Sequence, residues 1–227
     1  MSDPTIGLAV ITQNNEKHLP RALPQFYHIV EDIVVVDGGS TDDSVGWAER
    51  LGARVFYRPF DNHFANQINF ALDQLTTDWV YVHSMDEQLE PQLVQALPKL
   101  VTLEGQREFI ERGVLPPSET LFDCFGIARK TFIDGIQSDN YPDYQYRLFA
   151  NYCKFKGRVF EQVVNFRNRV ELDYKRTGEP EAEQDIRDVM ARFNILQYKS
   201  STVAEEQSVL YAKLKDQMDK EEEFGKK

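Results

Sequence analysis

The chain has 227 residues, 41% of them hydrophobic, and a formal net charge of −11. That length supports a domain with a real core, and the apolar content excludes a disordered chain. The acidity, with a pI of about 4.9, argues against partners that present a phosphate backbone, which are met by a basic face; Lys154, Lys156 and Arg158 offer cationic charge only locally.

Cys124 and Cys153 are the cysteines, and the lack of a CxxC spacing argues against a zinc site; one disulfide stays open beside the first reading, two free thiols, which the cysteine-poor composition favours. No basic stretch followed by an apolar run opens the sequence, and no apolar run approaches the ~20 residues of a membrane span. A cytoplasmic protein without a transmembrane segment is the expectation.

Taken in order, Ile6 to Ile11 is an apolar, β-branched run and predicts a buried strand. Leu19, Ala22, Leu23, Phe26 and Val30 recur at helical spacing, with Pro24 forcing a bend or a restart. Ile33 to Val36 predicts the next strand, which stops at Asp37-Gly38-Gly39-Ser40. Ser40 or Thr41 then caps a helix through about Leu51. Arg54 to Tyr57 is a third strand. Phe64, Ile68, Ala71, Leu72 and Leu75 form one helical stripe, and Trp79 to Val82 is a fourth strand. A short helix follows from Glu90 to about Val101.

This alternation of strand and helix predicts a mainly parallel α/β sheet covered on both faces. Leu121 to Ala128, Tyr144 to Phe149 and Val159 to Phe166 predict further strands of mixed direction. From Glu179 onward the spacing predicts helix, with one stripe through Ile186, Val189, Met190, Phe193 and Leu196. A narrower stripe runs through Val203, Leu210, Leu214 and Met218. Residues 1–178 therefore read as the α/β domain and 179–227 as a C-terminal helical extension.

Ligands of such sheets bind beyond the carboxyl ends of the strands. Asp37 and the pair Asp86-Glu87 sit at those ends, and hard carboxylates there suit Mg²⁺ or Mn²⁺ shared with a substrate diphosphate. The first strand is followed by Thr12-Gln13-Asn14-Asn15-Glu16. With no glycine in that turn, it fits neither a dinucleotide fingerprint nor a P-loop. In YPDYQYRLF, residues 141–149, an aromatic surround would desolvate Asp143 and suit a general base, while Arg147 could reach a phosphate. The bland reading of that stretch is an ion pair between the aspartate and a strand arginine.

In this order, ITQNNEKHLPRAL, VVDGGSTDDS, FDNHFANQINFALDQLTTDWVYVHSMDEQL and YPDYQYRLF with GRVFEQVV resemble the family-2 glycosyltransferases of GT-A fold. The bacterial lipopolysaccharide-core glucosyltransferase-like subgroup is the nearest likeness. The resemblance implies an inverting transfer of a sugar from a nucleotide-diphosphate donor, UDP-linked first of all, to a hydroxyl of a glycan or glycolipid. It implies Thr12 and Asp37 at the nucleobase and ribose, with Asn14, Asn69, Ser84 and Arg147 also at the donor. Asp86 takes the metal, Mn²⁺ or Mg²⁺. Asp143 is the first choice of base, with Glu161 and Asp139 in reserve.

Ser84 replaces the first acid of the subgroup's D-A-D-E, and Phe160 replaces a histidine. These departures keep a second reading open, a catalytically silent binding or scaffold protein on the same fold. The C-terminal stripe packs on the domain or on a second copy, so a homodimer is also an expectation. A peripheral protein can meet a lipid-linked acceptor at a membrane surface without a membrane segment.

Overall fold

The computed structural model describes residues 2–156, 162–165 and 188–225. A nine-stranded sheet runs in the order β3-β2-β1-β4-β8-β6-β11-β5, with β7 beside β6. Its strands are β1 (Ile6–Thr12), β2 (Asp32–Asp37), β3 (Arg54–Tyr57), β4 (Trp79–His83), β5 (Glu87–Leu89), β6 (Cys124–Ile133), β7 (Ile136–Gln137), β8 (Asp143–Ala150) and β11 (Asp188–Lys199). A separate ribbon pairs β9 (Cys153–Lys156) with β10 (Gln162–Asn165).

The first four strands of the chain are parallel, as continuous apolar runs require when both faces are covered. One face packs on α1 (Leu19–Ala22), α2 (Ser44–Arg50), α4 (Pro91–Leu100) and α5 (Leu103–Glu111), through Leu8, Val10, Phe26, Leu97 and Phe109. The other face packs on α3 (Phe64–Asp73) and β9, through Ala9, Val36, Ile68, Leu72 and Phe155. Pro24 restarts α1 as a short 3₁₀ turn, Leu23–Phe26.

Three local expectations are corrected. The stripe from Ile186 to Leu196 is not a helix over its described part, since Asp188–Lys199 is a strand parallel to β6 inside the main sheet. A register shift between Ala191 and Asn194 explains the misreading. Burial alternates at Val189 and Ala191, jumps, then resumes at Ile195 and Gln197, and a bulge in a two-residue period produces a helix-like spacing of four. Among the described residues of the expected extension, helix is found in α6 (Ser201–Gly225).

The second correction is α5 (Leu103–Glu111), a helix in the interval between Val101 and Leu121 where the sequence predicts no element. Its core face relies on a buried glutamine, Gln106, which bonds the carbonyls of Leu100 and Phe122 and the Phe122 N–H. The third is the start of α2, whose N-cap is Asp43 rather than Ser40 or Thr41.

β8 is antiparallel to both β4 and β6, so β6 and β11 run in the same sense as β1 and β4. Thr12, Asp37, His83 and Lys199 therefore all emerge at one edge of the sheet.

Candidate functional site

The left half of that edge is built by the turns after β1 and β2. Thr12 and Asp37 are register partners and both are buried. Gly39 takes a positive φ of 111°, which only glycine adopts without strain. The turn then folds back so that the Gly39 and Ser40 N–H groups donate to Asp37 at 3.1 Å, and Ser40 Oγ donates at 2.5 Å. The next turn is laced to it: Asn14 N–H donates to Ser40 Oγ at 2.9 Å, and Asn14 Oδ1 accepts from Thr41 N–H at 2.8 Å. Ser40 and Thr41 are engaged in this lacing, which is why they do not cap α2. Asp37 is committed to its own turn, whereas Thr12 Oγ1 is buried with no hydrogen-bond partner among the described residues.

The right half is a network of charges. Glu87, beside the expected metal ligand Asp86, turns inward. Its Oε1 accepts from Arg147 at 2.7 Å and lies 3.5 Å from Arg129, with no exposed side-chain surface. Burial pushes the Glu87 carboxyl up, but Arg147, His83 and Arg129 together hold it below its ordinary value. Arg147 Nη2 also donates to Ser84 Oγ at 3.3 Å. The Arg147 guanidinium thus neutralises a buried carboxylate.

Asp86 itself accepts from Gln197 Nε2 at 2.7 Å. Burial and the neighbouring Glu87 raise its pKa, and burial lowers that of Lys199, against the pull of Asp86. Among the described residues no three His, Cys, Asp or Glu side chains converge as a metal cage. A hard divalent ion keeps waters and takes one or two carboxylates plus substrate phosphates, so Asp86 fits such an ion only as a shared ligand.

Asp143 does not meet the apolar surround expected of it. Arg129 donates to its Oδ2 from Nε at 2.9 Å and from Nη2 at 2.5 Å, while Gln145 donates to Oδ1 at 2.8 Å. Asp143 is thus ion-paired, but with Arg129 through the register Arg129↔Asp143 rather than with the arginine of its own stretch. A carboxylate offers about four lone-pair directions, so one at Oδ1 remains. Asn69 lies elsewhere: its amide brackets the Phe155 peptide, donating to the carbonyl at 2.8 Å and accepting from the N–H at 2.9 Å. Asp139 makes only a backbone turn with Tyr141. Glu161 and Phe160 lie outside the described residues.

Several neighbours escaped the sequence reading. His83 is buried with neither ring nitrogen hydrogen-bonded, as are Tyr81 Oη and Glu87 Oε2. Burial depresses the His83 pKa to about 4. Arg129, Gln197 and Lys199 come from strands that no local motif marks. Tyr57, 70% exposed at the end of β3, does carry a signal, a large aromatic beside an acidic glycine turn. His63 caps α3 by accepting from Asn66 N–H. Next to Asp86, a cleft of about 400 Å³ is lined by His18, Arg21, Met85, Gln88 and Tyr198.

Residues 8–105 match the model of glycosyl transferase family 2. An uncharacterized glycosyltransferase of Rickettsia conorii is 31% identical over 166 residues, covering 68% of this chain and 58% of that protein. The lipopolysaccharide core biosynthesis glycosyltransferase LpsC of Rhizobium meliloti is 32% identical over 106 residues, 43% of this chain and 37% of its own. The chain thus spans 58% of the one relative and 37% of the other, less than two thirds of either. A crystal structure of S. aureus TarS in complex with UDP aligns with a TM-score of 0.49 and 15% identity, over 92% of this chain and 65% of that one. The family match and the mixed sheet agree with the GT-A fold expected from the motifs.

Proposed function

We propose that this chain, whose residues 8–105 carry a glycosyl transferase family 2 domain, transfers a sugar from a nucleotide-diphosphate donor to a hydroxyl of a glycan or glycolipid. The observation that supports this most is that Lys199, at the carboxyl edge of the sheet, lies within electrostatic reach of both Asp86 and Asp143. UDP-sugars are the donor class to test first, with Thr12 Oγ1 available to the nucleoside and Asp37 keeping the β2 turn in place.

A divalent ion, Mn²⁺ or Mg²⁺, would be held by Asp86 together with diphosphate oxygens, and would supply Lewis-acid stabilisation of the departing diphosphate. Lys199 adds cationic charge there. Ser84, Arg147 and Glu87 hold the Asp86 loop from beneath. Asp143 takes the proton of the acceptor hydroxyl at Oδ1. That oxygen then attacks the anomeric carbon as the bond to the diphosphate breaks, so configuration inverts. α6 keeps Val209 and Leu210 exposed, and packing of that face on a second copy would make the protein a homodimer.

The silent-scaffold reading is favoured by the inward turn of Glu87 and by Ser84 in place of an acid. Calorimetric titration of UDP, GDP and dTDP, each with and without Mn²⁺, separates the two. Metal-dependent binding of one nucleotide, lost in Asp86→Ala, is the expected result. No binding of any nucleotide supports the scaffold. Light scattering of a chain ending at Ser200 checks the dimer; an unchanged mass removes α6 from that role.

A further inference from the structure

We infer that the cleft between the start of α1 and the end of β11 is the acceptor subsite, and that it takes a sugar bearing an anionic group. This rests on the proposed transfer and names its second substrate. The cleft encloses about 400 Å³, near the lower end of ligand pockets at ~300–1,000 Å³. That suits one pyranose unit better than a whole nucleotide sugar. Asp86 forms part of its wall, so a sugar bound here sits beside the carboxylate proposed to hold the metal and diphosphate.

The lining is of the right kinds. Tyr198 is 50% exposed, and its ring is stacked on Phe132 with centroids 5.0 Å apart and planes at 16°. One face is therefore fixed in place and the other left open. A rigid aromatic face buries the C–H side of a sugar ring at small entropic cost. Gln88 supplies both donor and acceptor to hydroxyls. Met85 gives the cleft an apolar patch.

Arg21 and His18 stand exposed at the same cleft. Among the described residues Arg21 makes no ion pair. Asp86 and Glu87 line the same cleft, but Asp86 accepts from Gln197 and Glu87 from Arg147, so the Arg21 guanidinium is the cation at this cleft that an anionic ligand can pair. A guanidinium fits a planar carboxylate or a phosphate through paired N–H donors. The group recognised is thus a sugar carboxylate or a sugar phosphate.

Saturation-transfer NMR on the full chain tests this without any requirement for turnover. The probes are methyl β-D-glucuronide, glucose 6-phosphate and the neutral methyl β-D-glucoside. At least one anionic probe should give the stronger signal, and which one identifies carboxylate or phosphate. Tyr198→Ala should weaken that signal about tenfold, while Tyr198→Phe keeps it. Arg21→Gln should reduce the anionic probe to the level of the glucoside. UDP titration should be unchanged in all three variants. Equal signals from the three probes, no signal from any, or a full signal in Tyr198→Ala would overturn the assignment. So would weakened UDP binding in Arg21→Gln, which would make Arg21 a donor contact. If the wild type binds an anionic probe but no nucleotide, the transfer reading fails and the sugar site stands.

Discussion

Glu87 and Arg147 show how a residue's neighbours redefine its role. Read along the chain, Glu87 is half of an acidic pair at a strand end, and Arg147 is a basic residue on a strand. In space they form a buried pair at 2.7 Å, which no spacing in the sequence reveals because 60 positions separate them. Removing one partner of such a pair leaves an uncompensated buried charge, at a cost of roughly 3–5 kcal/mol. Arg147→Ala should therefore lower stability by that amount in urea denaturation. The double variant Arg147→Met/Glu87→Leu should recover most of it. Asp143 makes the complementary point, since an ion pair was foreseeable but its partner, Arg129 on another strand, was not. Asp143→Asn should slow transfer about 10²-fold if Oδ1 takes the acceptor proton, with UDP binding retained; a near-wild-type rate moves the base elsewhere.

Among the elements, legibility follows the regularity of burial. β1, β2 and β4 are continuous apolar runs, and α3 carries an unbroken stripe, so all four could be read directly. β11 could not, because its bulge at Ala191/Asn194 converts a period of two into a spacing that mimics a helix. α5 was missed because Gln106 takes a core position that an apolar residue normally marks. Gly105, at the start of that helix, is informative in a different way. A Cβ there would lie 2.2 Å from the Lys99 carbonyl oxygen, and backbone cannot yield as a flexible side chain does. Gly105→Ala should force α4 and α5 apart and destabilise the fold by about 1–3 kcal/mol, which thermal unfolding would register. An unchanged midpoint would mean that the corner relaxes freely.

At the scale of the molecule, the edge that gathers the candidate site also makes folding depend on pH. His83 sits between Phe26, at 4.9 Å, and Tyr81, at 6.2 Å between ring centroids, and burial holds its pKa near 4, below the ordinary 6.5. The unfolded chain therefore binds a proton at this residue between those values while the folded chain does not, so stability rises with pH across that window and falls on acidification. Integrated from pH 7 to pH 5, the loss is roughly 2 kcal/mol. Glu87, held low, loses its contribution only as pH falls below its unfolded value of 4.5. Asp86, pushed up by burial and Glu87, works in the opposite sense and can mask part of the trend in the intact protein. The difference between wild type and His83→Phe isolates the histidine. Phenylalanine keeps the ring contacts and removes both unbonded nitrogens, so the variant should match or exceed wild type at pH 7 and keep about 2 kcal/mol more of its stability on going to pH 5. Parallel urea curves at the two pH values would place His83 in a site that hydrates or pairs the imidazolium.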